Sequence, residues 1–133
     1  MPRARQPVKP ARKKPPHAFV LDALATLEPE VRPMFSGFAV YIGNRIVCML
    51  RDSLKSPQDN GVWLVLAETV NPADPALRRE FPSLRSIELL GNKISHWVLL
   101  PSDSSTFEEE ALQVCDRLLR HDPRFGRIPK SRR

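Results

Sequence analysis

Apolar residues recur along this chain in short runs, and the spacing within each run predicts an element. Between His17 and Leu27, the residues Val20, Ala23, Leu24 and Leu27 fall at i, i+3, i+4 and i+7, one stripe of a helix. Pro15 and Pro16 suit its start, and Pro29 biases Glu28 away from the helical region and closes it. Glu28–Pro33 then reads as a connector. Ser36–Ile42 and Arg45–Leu50 are rich in β-branched and aromatic residues and flank Gly43-Asn44, a pair that can supply the positive φ of a tight turn. They predict an antiparallel hairpin, around which every other run can be placed. Alternation groups Phe38, Val40 and Ile42 against Ala39 and Tyr41, and Ile46, Cys48 and Leu50 against Val47 and Met49. Both faces are largely apolar, so both are expected to be covered at least in part. Gly37 suggests a bulge or a close backbone approach, with a side chain there competing against Phe35 and Phe38.

Arg51–Gly61 is polar and reads as a loop, and Val62–Ala67 as a central strand. Asp74 before Pro75 has the signature of an N-cap and first helical residue, opening a short helix Pro75–Phe81. Leu84–Leu90 and Lys93–Leu100 flank Gly91-Asn92 and predict a second hairpin. The last helix carries Phe107, Ala111, Leu112, Val114, Cys115, Leu118 and Leu119 on a broad stripe. Thr106 and Glu109 have capping-box spacing, Glu108–Glu110 and Arg117 and Arg120 match the helix dipole, and Asp122-Pro123 stops the helix. The predicted order is α-β-β-β-α-β-β-α. Hairpin-joined strands cannot all be parallel, so the fold class is α+β: an antiparallel or mixed sheet of about five strands with helices packed on it.

The 133 residues suit one domain, 17–123, between two tails. No apolar run approaches the roughly 20 residues that cross a bilayer, and no apolar stretch follows the basic N-terminus, so neither membrane insertion nor a secretory signal is expected. Cytoplasm is the default location. Cys48 and Cys115 sit among apolar neighbours and read as buried thiols. The net charge of +6 divides unevenly. Residues 1–16 hold Arg3, Arg5, Lys9, Arg12, Lys13 and Lys14 with five prolines and no acid, and residues 124–133 hold Arg124, Arg127, Lys130, Arg132 and Arg133 with none either. Ten basic against fifteen acidic residues remain between them, a body of charge −5. The Pro-rich first segment lacks the apolar area to fold and reads as disordered. Such tails suit contact with polyanions or with the acidic body itself rather than a basic groove in the fold. With nucleic acid the contact would be salt-sensitive and nonspecific, although only Phe125 among them could stack on a base. A solubilising or tethering role fits them equally.

Reactive chemistry finds little support. Ser36 lacks the preceding glycine and strand of a nucleophile elbow. His17, His96 and His121 have no ligand spacing, and the glycines are isolated, so no metal, phosphate-binding loop, cofactor or catalytic residue is expected. Glu108–Glu110 reads as an exposed first turn, and Trp63, Trp97, Phe38 and Tyr41 as core on half-covered strands.

Arg32-Pro-Met-Phe-Ser-Gly37, followed by Tyr41, Gly43 and the apolar second strand, resembles the TfoX N-terminal domain family, and more distantly YjbR/MmcQ-like proteins. The motif residues are Arg32, Met34, Phe35, Ser36, Gly37, Tyr41 and Gly43; Val62-Trp-Leu64, Arg78–Phe81 and Trp97–Pro101 support the match over about 18–121. The resemblance implies an α+β fold and a non-enzymatic, regulatory role with a protein partner, in that family connected with control of competence for DNA uptake.

Overall fold

Five short strands, each hydrogen-bonded to the next along the chain, make the frame. They are β1 (Glu30–Met34), β2 (Gly37–Ile42), β3 (Arg45–Arg51), β4 (Gly61–Val65) and β5 (Trp97–Pro101), one antiparallel meander. The computed structural model describes residues 14–91 and 96–129. Helices α1 (Ala18–Ala23), α2 (Pro75–Glu80) and α3 (Phe107–Leu119) complete an α+β fold. No helix among the described residues is long and apolar enough to cross a membrane.

The helices cover one face. Val20 of α1 and Leu24 just after it, Leu77 of α2 and Phe81 just after it, and Val114 and Leu118 of α3 are buried over Val40, Leu50, Leu64 and Leu100 of the sheet. Removing such side chains from water stabilises by about 1.5–3 kcal/mol each, which makes this layer the principal core. The other face is apolar too: Met49, Trp63 and Leu99 pack with Ile87, beside a smaller group of Ala39, Ile46 and Val65.

The expected β2–β3 hairpin is present, with Gly43 at φ +62° in its two-residue turn. Its side-chain phase differs from simple alternation. Tyr41 pairs with Ile46 but Val40 with Cys48, so Val47 is an extra residue on β3. This bulge turns both Val47 and Cys48 toward the helices and sends Ile46 to the opposite face, away from Cys48 and Leu50. A one-residue insertion reverses facing on its far side.

The element order is α-β-β-β-β-α-β-α, with two changes from expectation. Glu30–Met34 is an edge strand rather than a connector. Pro33 is tolerated there because a strand with one neighbour leaves half its backbone groups out of the ladder. Leu84–Leu90 is not a strand. Arg85 alone exchanges backbone hydrogen bonds with Leu99, at 3.0 and 2.8 Å, on the free edge of β5. The chain then turns onto the helix-free face as a 3-10 turn, Glu88–Leu90. Asp59 draws it there. Its carboxylate is fully buried and accepts from the backbone N–H groups of Glu88 and Leu89 at 2.9 and 2.8 Å. Asn92–Ser95 of the expected second hairpin lie outside the described residues.

Asp74 caps α2 as expected, accepting from Ala76 N at 2.9 Å. The cap of α3 differs. Thr106 makes no side-chain bond to the helix backbone, and its hydroxyl donates to Glu110 rather than pairing with Glu109. Glu110 is buried, not part of an exposed acidic turn, and accepts from Ser83 N at 3.0 Å and from Ser83 Oγ at 2.6 Å. Thus α3 is pinned to the loop that leaves α2.

Candidate functional site

The register of β1 and β2 gathers most of the motif residues on one hairpin. Arg32 pairs with Ala39 and Met34 with Gly37, so Arg32, Met34 and Tyr41 share the helix-free face. The Arg32 guanidinium stands 4.6 Å above the Tyr41 ring and donates to Glu30 at 3.1 Å. Between the strands, Phe35 and Ser36 form a two-residue turn, so a strand does precede Ser36, which is exposed. Phe35 is 83% exposed and held at φ +54°. A bulky side chain in the left-handed region costs about 1–2 kcal/mol. Gly37 faces Arg51 on β3, so this turn and the following loop leave the same end of the sheet, and that loop carries Leu54, 99% exposed.

Arg51 anchors that loop, a role the sequence did not signal. Its guanidinium is buried and donates to the carbonyls of Lys55 and Ser56 at 2.6 and 2.8 Å and to Asn60 Oδ1 at 2.9 Å. The rigid fork of donors suits several converging carbonyls. His17 lies 3.0 Å from the Arg51 carbonyl through Nε2 and packs edge-on against Phe107. His96 directly precedes β5, and His121 follows α3, so the histidines do not converge. Cys48 and Cys115 are free and buried; burial raises both thiols, Cys115 to about 11, and keeps them protonated. Among the described residues no group of three or more His, Cys, Asp or Glu side chains could hold a metal ion.

The described cations of the expected C-terminal tail behave unlike a solvated arm. Phe125 is buried against Phe81, and backbone bridges join Phe125 to Leu66 and Arg127 to Ile46, so residues 124–127 belong to the fold. Arg124 donates to Asp122 at 2.8 Å and to Glu80 at 3.0 Å, while Arg117 donates to Glu80 at 2.6 Å. Burial alone would raise the Glu80 carboxyl, but these two arginines hold it below the usual carboxylate range. Hydrogen bonds from Arg124 do the same to Asp122. Arg127 pairs with Glu68 at 2.8 Å. Lys14 is exposed, and Arg3, Arg5, Lys9, Arg12, Lys13, Lys130, Arg132 and Arg133 lie outside the described residues.

At the opposite end of the sheet from Phe35, a cavity of about 450 Å³ opens beside the β2–β3 turn and the end of α3. Its walls are Leu27, Ile42, Val47, Leu118 and Phe125, with Arg45, His121 and Asp122 among them. These residues come from three stretches far apart in sequence, and the bulge that turns Val47 inward leaves no mark in the sequence. No family model, curated protein or solved structure matches the chain.

Proposed function

We propose that the chain is a non-enzymatic regulatory or protein-interaction domain, of the kind its resemblance to the TfoX N-terminal domain family implies. It meets its protein partner through the β1–β2 hairpin. One observation carries this reading: Phe35 is 83% exposed at a position whose φ of +54° favours glycine. Nothing in folding rewards that choice, since the ring buries little and the backbone is strained. Strain retained without a packing gain points to use in contact with another molecule. Arg32 over Tyr41 on the same hairpin supplies the arginine and tyrosine that are enriched among interface hot spots, and the exposed Leu54 adds apolar surface at the end of the sheet where Phe35 stands.

The test is capture from native lysate, after nuclease treatment, by the intact protein and by Phe35→Gly. Relief of the left-handed strain, offset by the flexibility of glycine, leaves Phe35→Gly as stable as the parent or about 1 kcal/mol more so. It should nonetheless lose the captured protein. Capture unchanged by Phe35→Gly overturns the hairpin assignment. Capture that vanishes with nuclease treatment alone transfers the function to nucleic-acid contact by the basic tails. Substrate turnover abolished by changing one polar side chain would replace the reading with an enzyme.

A further inference from the structure

We infer that the cavity beside the β2–β3 turn binds a small carboxylate with an apolar tail, the tail among Leu27, Ile42, Leu118 and Phe125 and the charge at Arg45. The inference is independent of the hairpin surface, which lies at the other end of the sheet.

Size comes first. About 450 Å³ falls within the range of pockets that hold small organic ligands, and apolar walls with few polar groups are their usual lining. Charge decides the ligand class. Arg117, Arg124 and Arg127 are each held by an acid, but Arg45 has no carboxylate within ion-pair distance among the described residues. Its hydrogen bond there is a long one, 3.4 Å from Nη1 to the Gly126 carbonyl. Asp122, the acid of the cavity, is already engaged: Arg124 donates to it from the backbone N, Nε and Nη2 at 3.0, 3.1 and 2.8 Å. The charge left to meet a ligand is therefore positive.

Arg45 is also positioned. A Cβ built on Gly126 would come within 2.6 Å of Arg45 Cδ and 2.9 Å of Cγ, so the arginine stem lies directly on the backbone of the C-terminal segment. Gly126 is itself fixed by donating to the Val65 carbonyl at 2.7 Å. A guanidinium so supported presents its planar fork to a carboxylate, a match of both charge and geometry. The His121 ring, on a residue held at φ +60°, has no hydrogen-bond partner among the described residues and can act as a second donor. An ammonium ligand would face repulsion from Arg45, and a neutral apolar one would gain no charge-assisted hydrogen bond from it.

Calorimetric and NMR titrations of the intact protein with octanoate, octanol and acetate test the site. Octanoate should bind saturably and shift the amides of Ile42, Val47, Leu118 and Phe125. Octanol should bind at least about tenfold more weakly and acetate not measurably, since a charge-assisted hydrogen bond and apolar burial each contribute. Arg45→Gln, at an exposed position, should weaken octanoate at least about tenfold without altering octanol binding or the melting temperature. Leu27→Trp, which fills the cavity from its half-buried rim, should abolish binding of both. Equal affinity for octanoate and octanol, octanoate binding unchanged in either variant, or no saturable binding up to millimolar octanoate would overturn the inference.

Discussion

A Cβ added at Gly37 would lie 2.5 Å from the carbonyl oxygen of Leu50 and 3.3 Å from Met49 Cε. The obstacle is the neighbouring strand, not the rings of Phe35 and Phe38 that the local sequence suggests. Gly43 is constrained differently: nothing stands within 4 Å, but its φ is +62°. Gly37→Ala should therefore destabilise by about 1–3 kcal/mol through overpacking, and Gly43→Val by about 1–3 kcal/mol through backbone strain. Asparagine separates the two causes, because it tolerates the left-handed region but not a filled space. In urea unfolding, Gly43→Asn should recover most of the loss seen with Val, whereas Gly37→Asn should be worse than Ala. If Gly43→Asn is as damaging as Gly43→Val, turn geometry is not what the glycine supplies. Gly-Asn between two strands made the φ at Gly43 legible in advance. A close backbone approach at Gly37 was legible too, but not that the backbone is Leu50 of β3, since that depends on how β3 passes β2.

Elements with a complete local signature were legible, and those defined by a distant partner were not. The stripe of α3, the Asp74-Pro75 start of α2 and the β2–β3 hairpin each carry their cause within a few residues. Glu30–Met34 shows no alternation because it is a short edge strand, and Leu84–Leu90 has strand-like composition yet is capped by a carboxylate at Asp59. The contact between α2, α3 and the C-terminal segment is likewise non-local, with Glu80 bridging Arg117 and Arg124. Glu80 and Asp122 are held below their ordinary values, so their contribution is present above the unfolded carboxylate range of about 4 and is lost as pH falls through the lower folded values. The guanidiniums are about a third exposed, which limits the gain. Glu80→Gln should cost about 1 kcal/mol at neutral pH. Melting temperatures of parent and variant should converge as pH falls below about 4. A gap that persists undiminished in acid would assign the loss to packing rather than charge.

Charge partition along the chain misplaces the C-terminal boundary of the fold. A run of arginines without acids reads as a solvated tail, yet Phe125 is 2% exposed, and Arg124 and Arg127 find their acids on α2, on the loop after α3 and after β4. Basic residues near an acidic body can be its counterions, and sequence alone does not distinguish that from a free arm. Deleting 124–133 should therefore cost at least about 3 kcal/mol, the scale for removing a buried phenylalanine. Circular dichroism and thermal unfolding measure this; a truncated protein that melts with the intact one would show that the segment is dispensable. The α+β class and four of the five strands, β2 to β5, followed from hydrophobic periodicity; β1 did not. The hairpin turn and the cavity, at opposite ends of the sheet, did not follow from it, because each is made by residues that meet only through strand register.

Both tryptophans of the chain stand on the helix-free face, Trp63 and Trp97 edge to face with centroids 6.1 Å apart. Trp63 donates its indole N–H to the Asp59 carbonyl at 2.8 Å, the same residue that tethers Glu88–Leu90. Intrinsic fluorescence thus watches one side of the sheet, while far-ultraviolet dichroism is weighted toward the helices on the other. The tether rests on one carboxylate and a few apolar contacts, so the emission change should lead the dichroism change on heating. Coincident curves would instead make both sides of the sheet a single cooperative unit.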